Sequence, residues 1–350
     1  MAETARRAFV ATVVVGSVVV LALALWKLKL VLALLFLAFI IAAALRPGID
    51  ALARHGVPRG IGIALNYLML LGVIALALAF AVPRALHQVE SALGQGTRTQ
   101  LRHEARTSTG IKHDVLVAVQ KRLEDLPKRK NLMRPAAEAG VKAFEAIVAI
   151  FFVLASAAYW IFERDKAEDL VCSLLPRPRR KKVRDTWNLI DLKLGAYVRG
   201  QGLLIVLVGT VLSLAFWAIG LPYWLLVGSF AGLVEIVPVI GPLSAGALAI
   251  GVGLTADLRT AILAGVAVFA VRMLEDYLIV PRVLGDAVGL SPLLVIFSVA
   301  AIGILFGGFG VLLAIPLAAV IVTLVDVIVR DKDPAEEEVP AVMFAAKDTE

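Results

Sequence analysis

The chain alternates between long apolar blocks and short charged stretches, with charge almost absent inside the blocks. That alternation predicts repeated membrane crossings by helices, because a bilayer core needs about 20 apolar residues per helical span. Phe9–Trp26 is the first block. It is long for the apolar part of a signal peptide and no small-residue cleavage site follows, so a retained anchor helix is expected. Lys27 and Lys29 make a brief break before Leu30–Leu45, and Arg46-Pro47 is expected to end that second span. Residues 46–60 then form a basic connection with Arg54 and Arg59, and Ile61–Val82 is a third span ending at Pro83. Residues 1–83 thus read as three transmembrane helices.

Residues 84–140 differ in character, with scattered apolar positions such as Leu116, Val119, Leu123 and Leu126 among many charges. That spacing fits amphipathic helices in a polar extramembrane domain. Phe144–Phe162, within a unit at 141–162, returns to the membrane. Residues 163–202 read as a basic cytoplasmic loop, with Arg177, Arg179, Arg180, Lys181 and Lys182 suited to anionic headgroups. Leu203–Leu221 is a clear span and opens a core at 203–330. Within it, Trp224–Leu254 is broken by Pro238 and Gly241-Pro242. Ala261–Val280 contains Arg272, Glu275 and Asp276, and Leu293–Val329 is interrupted by Gly307, Gly308 and Gly310. Each broken segment is either two full spans or one re-entrant hairpin. Residues 331–350 are expected to be a disordered polar tail. The fold class is all-α: a polytopic membrane protein of about eight transmembrane segments, two of them broken or re-entrant, plus a small helical extramembrane domain.

Composition sharpens this picture. Of 350 residues 60% are hydrophobic, and the mean hydropathy is +0.89, well above the apolar share of soluble domains. The formal net charge of +7 lies mostly in loops beside apolar blocks, where cytoplasmic positive charge accumulates, and no nucleic-acid module is visible. One cysteine, Cys172, excludes a disulfide framework, and four histidines without ligand spacing suggest no metal site. No cofactor is expected. Walker A, HExxH and GxSxG patterns are absent from the sequence, so neither an ATP-driven pump nor an intramembrane hydrolase is supported, and the chain is not read as an enzyme.

Three places could carry chemistry. Glu275 and Asp276 follow Arg272 by three and four residues, which places all three on one helical face. Charges at mid-membrane are costly, about 2.5–3.5 kcal/mol each on insertion scales, so they pair or line a cavity. They form either a structural salt bridge or a proton- or cation-coupling site. Glu235 stands just before the Pro238, Gly241, Pro242 break. A broken helix bearing a carboxylate at mid-membrane can build a binding site; a solvated interhelical loop is the plainer alternative. Gly307, Gly308 and Gly310 allow close helix packing, a hinge or a re-entrant tip.

Taken in order, several segments resemble the autoinducer-2 exporter (AI-2E) family: Tyr197-Val198-Arg199-Gly200-Gln201, Gly220-Leu221-Pro222-Tyr223, and Glu235 through Pro242. Glu275 through Arg282, Gly285, Gly289-Leu290-Ser291-Pro292, and Leu305 through Gly310 to Leu317 continue the series, with looser likeness at Leu45-Arg46-Pro47 and Gly56-Val57-Pro58-Arg59. The resemblance implies a carrier in the bacterial inner membrane that assembles as a homo-oligomer, a pentamer among the options. Members are linked to autoinducer-2 export in quorum sensing and to sodium/proton antiport. The family's usual Glu-Asn pair is Glu275-Asp276 here, an added acid. The expected function is a secondary transporter exporting a small hydrophilic solute such as autoinducer-2, coupled to a proton or monovalent cation. Glu235, the Pro238–Pro242 break, Arg272, Glu275, Asp276 and the Gly307–Gly310 turn are expected to converge on one site. A sodium(potassium)/proton antiporter and a membrane scaffold or regulatory protein are the alternatives. Charge in the short connections places both termini in the cytoplasm.

Overall fold

The computed structural model describes residues 2–93, 133–237, 240–280, 290–337 and 339. The described residues form helices and turns without strands. In chain order the helices are α1 (Ala2–Lys27), α2 (Lys29–Arg54), α3 (Arg59–Leu93), α4 (Met133–Ser173), α5 (Arg177–Ile219), α6 (Trp224–Val234), α7 (Ile240–Ala256), α8 (Leu258–Leu274), α9 (Pro292–Phe306) and α10 (Gly308–Ile328). A π-helical turn, Glu275–Ile279, extends α8. Five helices, α2, α3, α4, α5 and α10, contain stretches long and apolar enough to cross a membrane, and α1, α6, α7 and α9 are shorter apolar helices. The chain is a polytopic all-α membrane protein.

Several expected boundaries move, each for a physical reason. Only Leu28 separates α1 from α2. Its N–H donates to Ala24 O at 2.9 Å and its carbonyl accepts from Leu32 N–H at 2.9 Å, so the helical ladder runs through it without a reversing loop. Pro47 does not end α2, which continues to Arg54. The proline leaves the Ala43 carbonyl without its usual donor, and that carbonyl lies where a Cβ on Gly195 of α5 would come within 2.5 Å. Arg46 bridges to Asp50 one turn on, at 3.5 Å, across the proline. Pro83 likewise sits inside α3, which runs on to Leu93. Of the expected 84–140 domain, residues 84–93 and 133–140 are helical continuations of α3 and α4; the remainder lies outside the described residues.

The basic loop expected at 163–202 is instead a helical arm. α4 and α5 run through it and reverse over Leu174–Pro176. Charge concealed the helix because these charges pair along α4 and between α4 and α5. Arg164 meets Glu168 at 2.6 Å and Asp191 at 2.8 Å, and Arg184 meets Glu168 and Asp169, both at 2.7 Å. Arg180 closes the turn by donating to Leu175 O at 3.0 Å and Ser173 O at 3.3 Å, two carbonyls freed at the end of α4.

Residues 331–337, expected as the start of a disordered tail, fold back along α5. Glu337 meets Lys193 at 2.6 Å, Asp331 pairs with Lys182, and Lys332 returns to Asp326 at 2.6 Å. Lys193 is buried and donates also to Thr323 Oγ1 at 3.2 Å. Beyond Glu337 the tail lies almost wholly outside the described residues.

Two of the three packed clusters among the described residues surround the broken segments. Leu212 and Phe216 of α5, Val227 and Ala231 of α6, Ala245 and Ala249 of α7, and Ala264 of α8 form one. Val227 and Ala231 of α6 share this cluster with Ala245 and Ala249 of α7, the two helices lying on either side of the break as the arms of a hairpin. Eleven residues in α6 give roughly 16 Å of rise, about half the thickness of a hydrocarbon core. Ala33, Ile40 and Ala43 of α2 with Leu194 of α5 and Leu313 of α10 form the other cluster, against which Phe306 and Phe309 pack. α9 and α10 make the second hairpin: a Cβ on Gly310 would come within 2.9 Å of Ile302 O, and Gly307 turns the chain at φ +74°.

Candidate functional site

The site begins with how α8 starts and ends. Asp257 caps its first turn, accepting from Thr260 N–H and from Thr260 Oγ1, each at 2.8 Å. Those bonds hold the Asp257 carboxyl below its ordinary range. At the other end the α-helix gives way to the π-turn, and the acidic pair Glu275-Asp276 lies on that turn. Insertions of this kind often mark functional positions in membrane and soluble helices alike.

Arg272 is the hub. Its Nη1 donates to Glu235 Oε1 at 3.2 Å and to Glu275 Oε2 at 3.3 Å. Asp276 takes the other edge of the guanidinium, with Nε to Oδ2 at 3.0 Å and Nη2 to Oδ1 at 2.8 Å. The Asp276 contact is the bidentate fork that favours arginine over lysine. Glu275 and Glu235 are 3% and 7% exposed, whereas the Arg272 side chain is 33% and that of Asp276 39% exposed. One cation therefore faces three carboxylates, two of them buried, beside an open edge. Two of the three negative charges have no cation of their own in this group.

Glu235 reaches Arg272 because α6 stops at Val234. Val237 N–H turns back to Val234 O at 3.0 Å, and Gly241 N–H donates to Val237 O at 2.8 Å. Gly241 is required by close approach: a Cβ there would collide with the Val234 carbonyl. Pro242 sits in the first turn of α7, where its missing N–H costs nothing. Pro238 lies outside the described residues. The Glu235 carbonyl accepts from Gln201 Nε2 of α5 at 3.0 Å.

The structure brings Glu235, Arg272, Glu275 and Asp276 together, with Gly241 and Pro242 at the adjoining turn. It places Gly307, Gly308 and Gly310 elsewhere. Phe306 and Phe309 around that turn pack on the α2–α5–α10 cluster, and Lys29 Nζ donates to Leu305 O at 3.2 Å. Gly310 is held there by close packing against Ile302, and Gly307 by the positive φ of the turn. Sequence reading overlooked the ion network where α2, α4 and α5 meet. Arg46 and Arg164 both bind Asp191, at 3.1 and 2.8 Å, and a cavity of about 30 Å³, room for about one water, lies beside them with Arg59, Asp165 and Trp160. The signal was Asp191, an acid three residues before the buried Leu194 on one face of α5.

Similarity to known proteins agrees with this architecture. The family model described as "AI-2E family transporter" matches residues 15–330. "Putative transport protein YrrI" of Bacillus subtilis (strain 168) is 24% identical over 303 residues, covering 82% of this chain and 83% of that protein. "Putative transport protein MT0215" of Mycobacterium tuberculosis (strain CDC 1551 / Oshkosh) is 26% identical over 325 residues, covering 91% and 88%. "Putative permease PerM" of Escherichia coli (strain K12) is 32% identical over 178 residues, half of each chain. A match spanning both hairpins and the charged helix between them makes this chain a member of the AI-2E transporter family.

Proposed function

We infer that the protein is a secondary carrier that exports a small hydrophilic solute, autoinducer-2 being the first candidate, in exchange with a proton or monovalent cation. The observation that carries this reading is the single guanidinium of Arg272 shared by Glu235, Glu275 and Asp276 at the break of a re-entrant hairpin. A carboxylate without its own cation is a place where a proton or a cation can bind and leave, and Arg272 is the group whose partners such binding rearranges. Half-helices meeting in the membrane supply the rest of such a site. No ATP-binding motif is present in the sequence, so the driving force falls to a gradient.

The excess of acid also favours a second reading, sodium(potassium)/proton antiport without an organic solute. Proteoliposomes holding the purified protein separate the two. Autoinducer-2 efflux accelerated by an imposed proton gradient supports export. Proton flux driven by sodium alone, with no solute movement, selects the antiporter, and neither flux from folded protein contradicts both.

The setting proposed is the bacterial inner membrane, with a homo-oligomer as the assembly. The basic arm, Arg46, Arg59 and the 331–337 strap share one end of the bundle through the contacts of Asp191, Asp165 and Lys182. The density of basic residues makes that end cytoplasmic.

A further inference from the structure

We propose that Gln201 is a positioning residue: its side-chain amide holds the broken end of α6 and so sets Glu235 against Arg272. For its consequence in transport the inference rests on the Arg272 cluster being the transport site; for its structural content it stands alone.

α6 ends at Val234 with Glu235 as its C-cap residue, and α7 starts at Ile240 as the other arm of the hairpin. A carbonyl freed in an apolar setting needs a donor from elsewhere. Gln201 Nε2 supplies it at 3.0 Å. Gln201 lies one and two turns before Ile205 and Gly209 on α5, the face on which α6 seats so closely that a Cβ on Gly232 would come within 2.6 Å of Ile205 O. At the opposite end of α6 the first-turn Leu226 N–H donates to Gln88 Oε1 of α3 at 3.1 Å. A helix of eleven residues is thus held by a glutamine at each end, from two different helices. Only the Gln201 end belongs to the residue whose carboxylate reaches Arg272, at 3.2 Å. Shifting the Glu235 carbonyl shifts its carboxylate, because both hang from one Cα.

Hydrogen exchange of the full chain in lipid nanodiscs tests this. In Gln201→Leu the amides of Ile236, Val237, Ile240 and Gly241 should exchange faster by roughly tenfold, the scale of one lost hydrogen bond. Gln88→Leu should loosen the start of α6 and leave those amides protected. Gln201→Glu gives a readout that general loosening does not: its neutral acid donates to the Glu235 carbonyl at acidic pH, and its carboxylate does not at alkaline pH. Glu235, Glu275 and Asp276 around Arg272 titrate in both proteins, so wild type sets the baseline. Protection of the break, corrected for intrinsic exchange, should be lost reversibly with rising pH beyond that baseline in this variant. Autoinducer-2 efflux by Gln201→Glu should fall over the same pH range. Should Gln201→Leu fail to fold, the pH response of Gln201→Glu decides within one folded sample. Unchanged exchange in Gln201→Leu, or a pH response in Gln201→Glu no larger than that of wild type, overturns the proposal. Exchange that follows Gln201 in a protein moving no autoinducer-2 upholds the positioning role and removes the transport reading.

Discussion

Arg272 has three acidic partners, and their unequal burial assigns them unequal tasks. Asp276 holds the guanidinium by two bonds at a half-open edge, while Glu275 and Glu235 are buried. Asp276→Asn gives the Glu-Asn pair that the family resemblance implies and removes the least buried of the three carboxylates around Arg272. Flux should fall less than about tenfold in this variant, and its dependence on cation concentration should change; measuring flux across a sodium series checks both. Arg272 and the acids at offsets of three and four could be read directly from spacing. The approach of Glu235 could not, because it depends on how a hairpin folds onto α8. The π-turn was equally hidden, since no residue type marks it. The same limit applies to Lys193, whose partners are 130 and 144 positions away in the chain, and to Asp191, whose partner Arg46 is 145 positions away.

Among the elements, the α5–α6 seam is the most demanding. Ser213 lies where a Cβ on Gly228 would collide, and Gly209 Cα stands 2.7 Å from a Cβ on Gly232. Without a hydrophobic drive between helices in lipid, such backbone approach is what holds them. Gly232→Ala should lower stability by about 1–3 kcal/mol through overpacking, read as an earlier thermal transition in detergent, with flux lost in step. α8 makes a separate prediction through Asp257. Its folded pKa is lowered by the Thr260 bonds, so its capping contribution is full at neutral pH and is lost as pH falls through that lowered value. Exchange of the first-turn amides of α8 should rise on acidification in wild type and be high at all pH values in Asp257→Ala. Proline and charge misplaced several boundaries in the sequence reading. Pro47 and Pro83 lie inside helices rather than ending them, and the 163–202 arm is helical with charges paired across it.

For the whole molecule, α5 joins the two charged regions. Its polar half is clamped by Arg46, Arg164 and the strap, and Gln201 reaches Glu235 eight residues beyond Lys193, about 12 Å along the axis. Glu337→Gln leaves the buried Lys193 ammonium without its carboxylate. The cost should be about 1–2 kcal/mol, below the 3–5 kcal/mol of a fully buried pair because Glu337 is 34% exposed on its side chain. Chemical unfolding should show that loss in Glu337→Gln and less of it in the double variant with Lys193→Met. Alternating apolar and charged blocks made the polytopic helical class plain from sequence, whereas the strap and the arm depended on partners far along the chain. The most direct measurement compares autoinducer-2 efflux from proteoliposomes of wild type and Glu275→Gln, with and without a proton gradient. Gradient-driven efflux that falls to background in a folded, inserted Glu275→Gln protein is the predicted result. Equal efflux from the two proteins would contradict the assignment of the Arg272 cluster as the transport site.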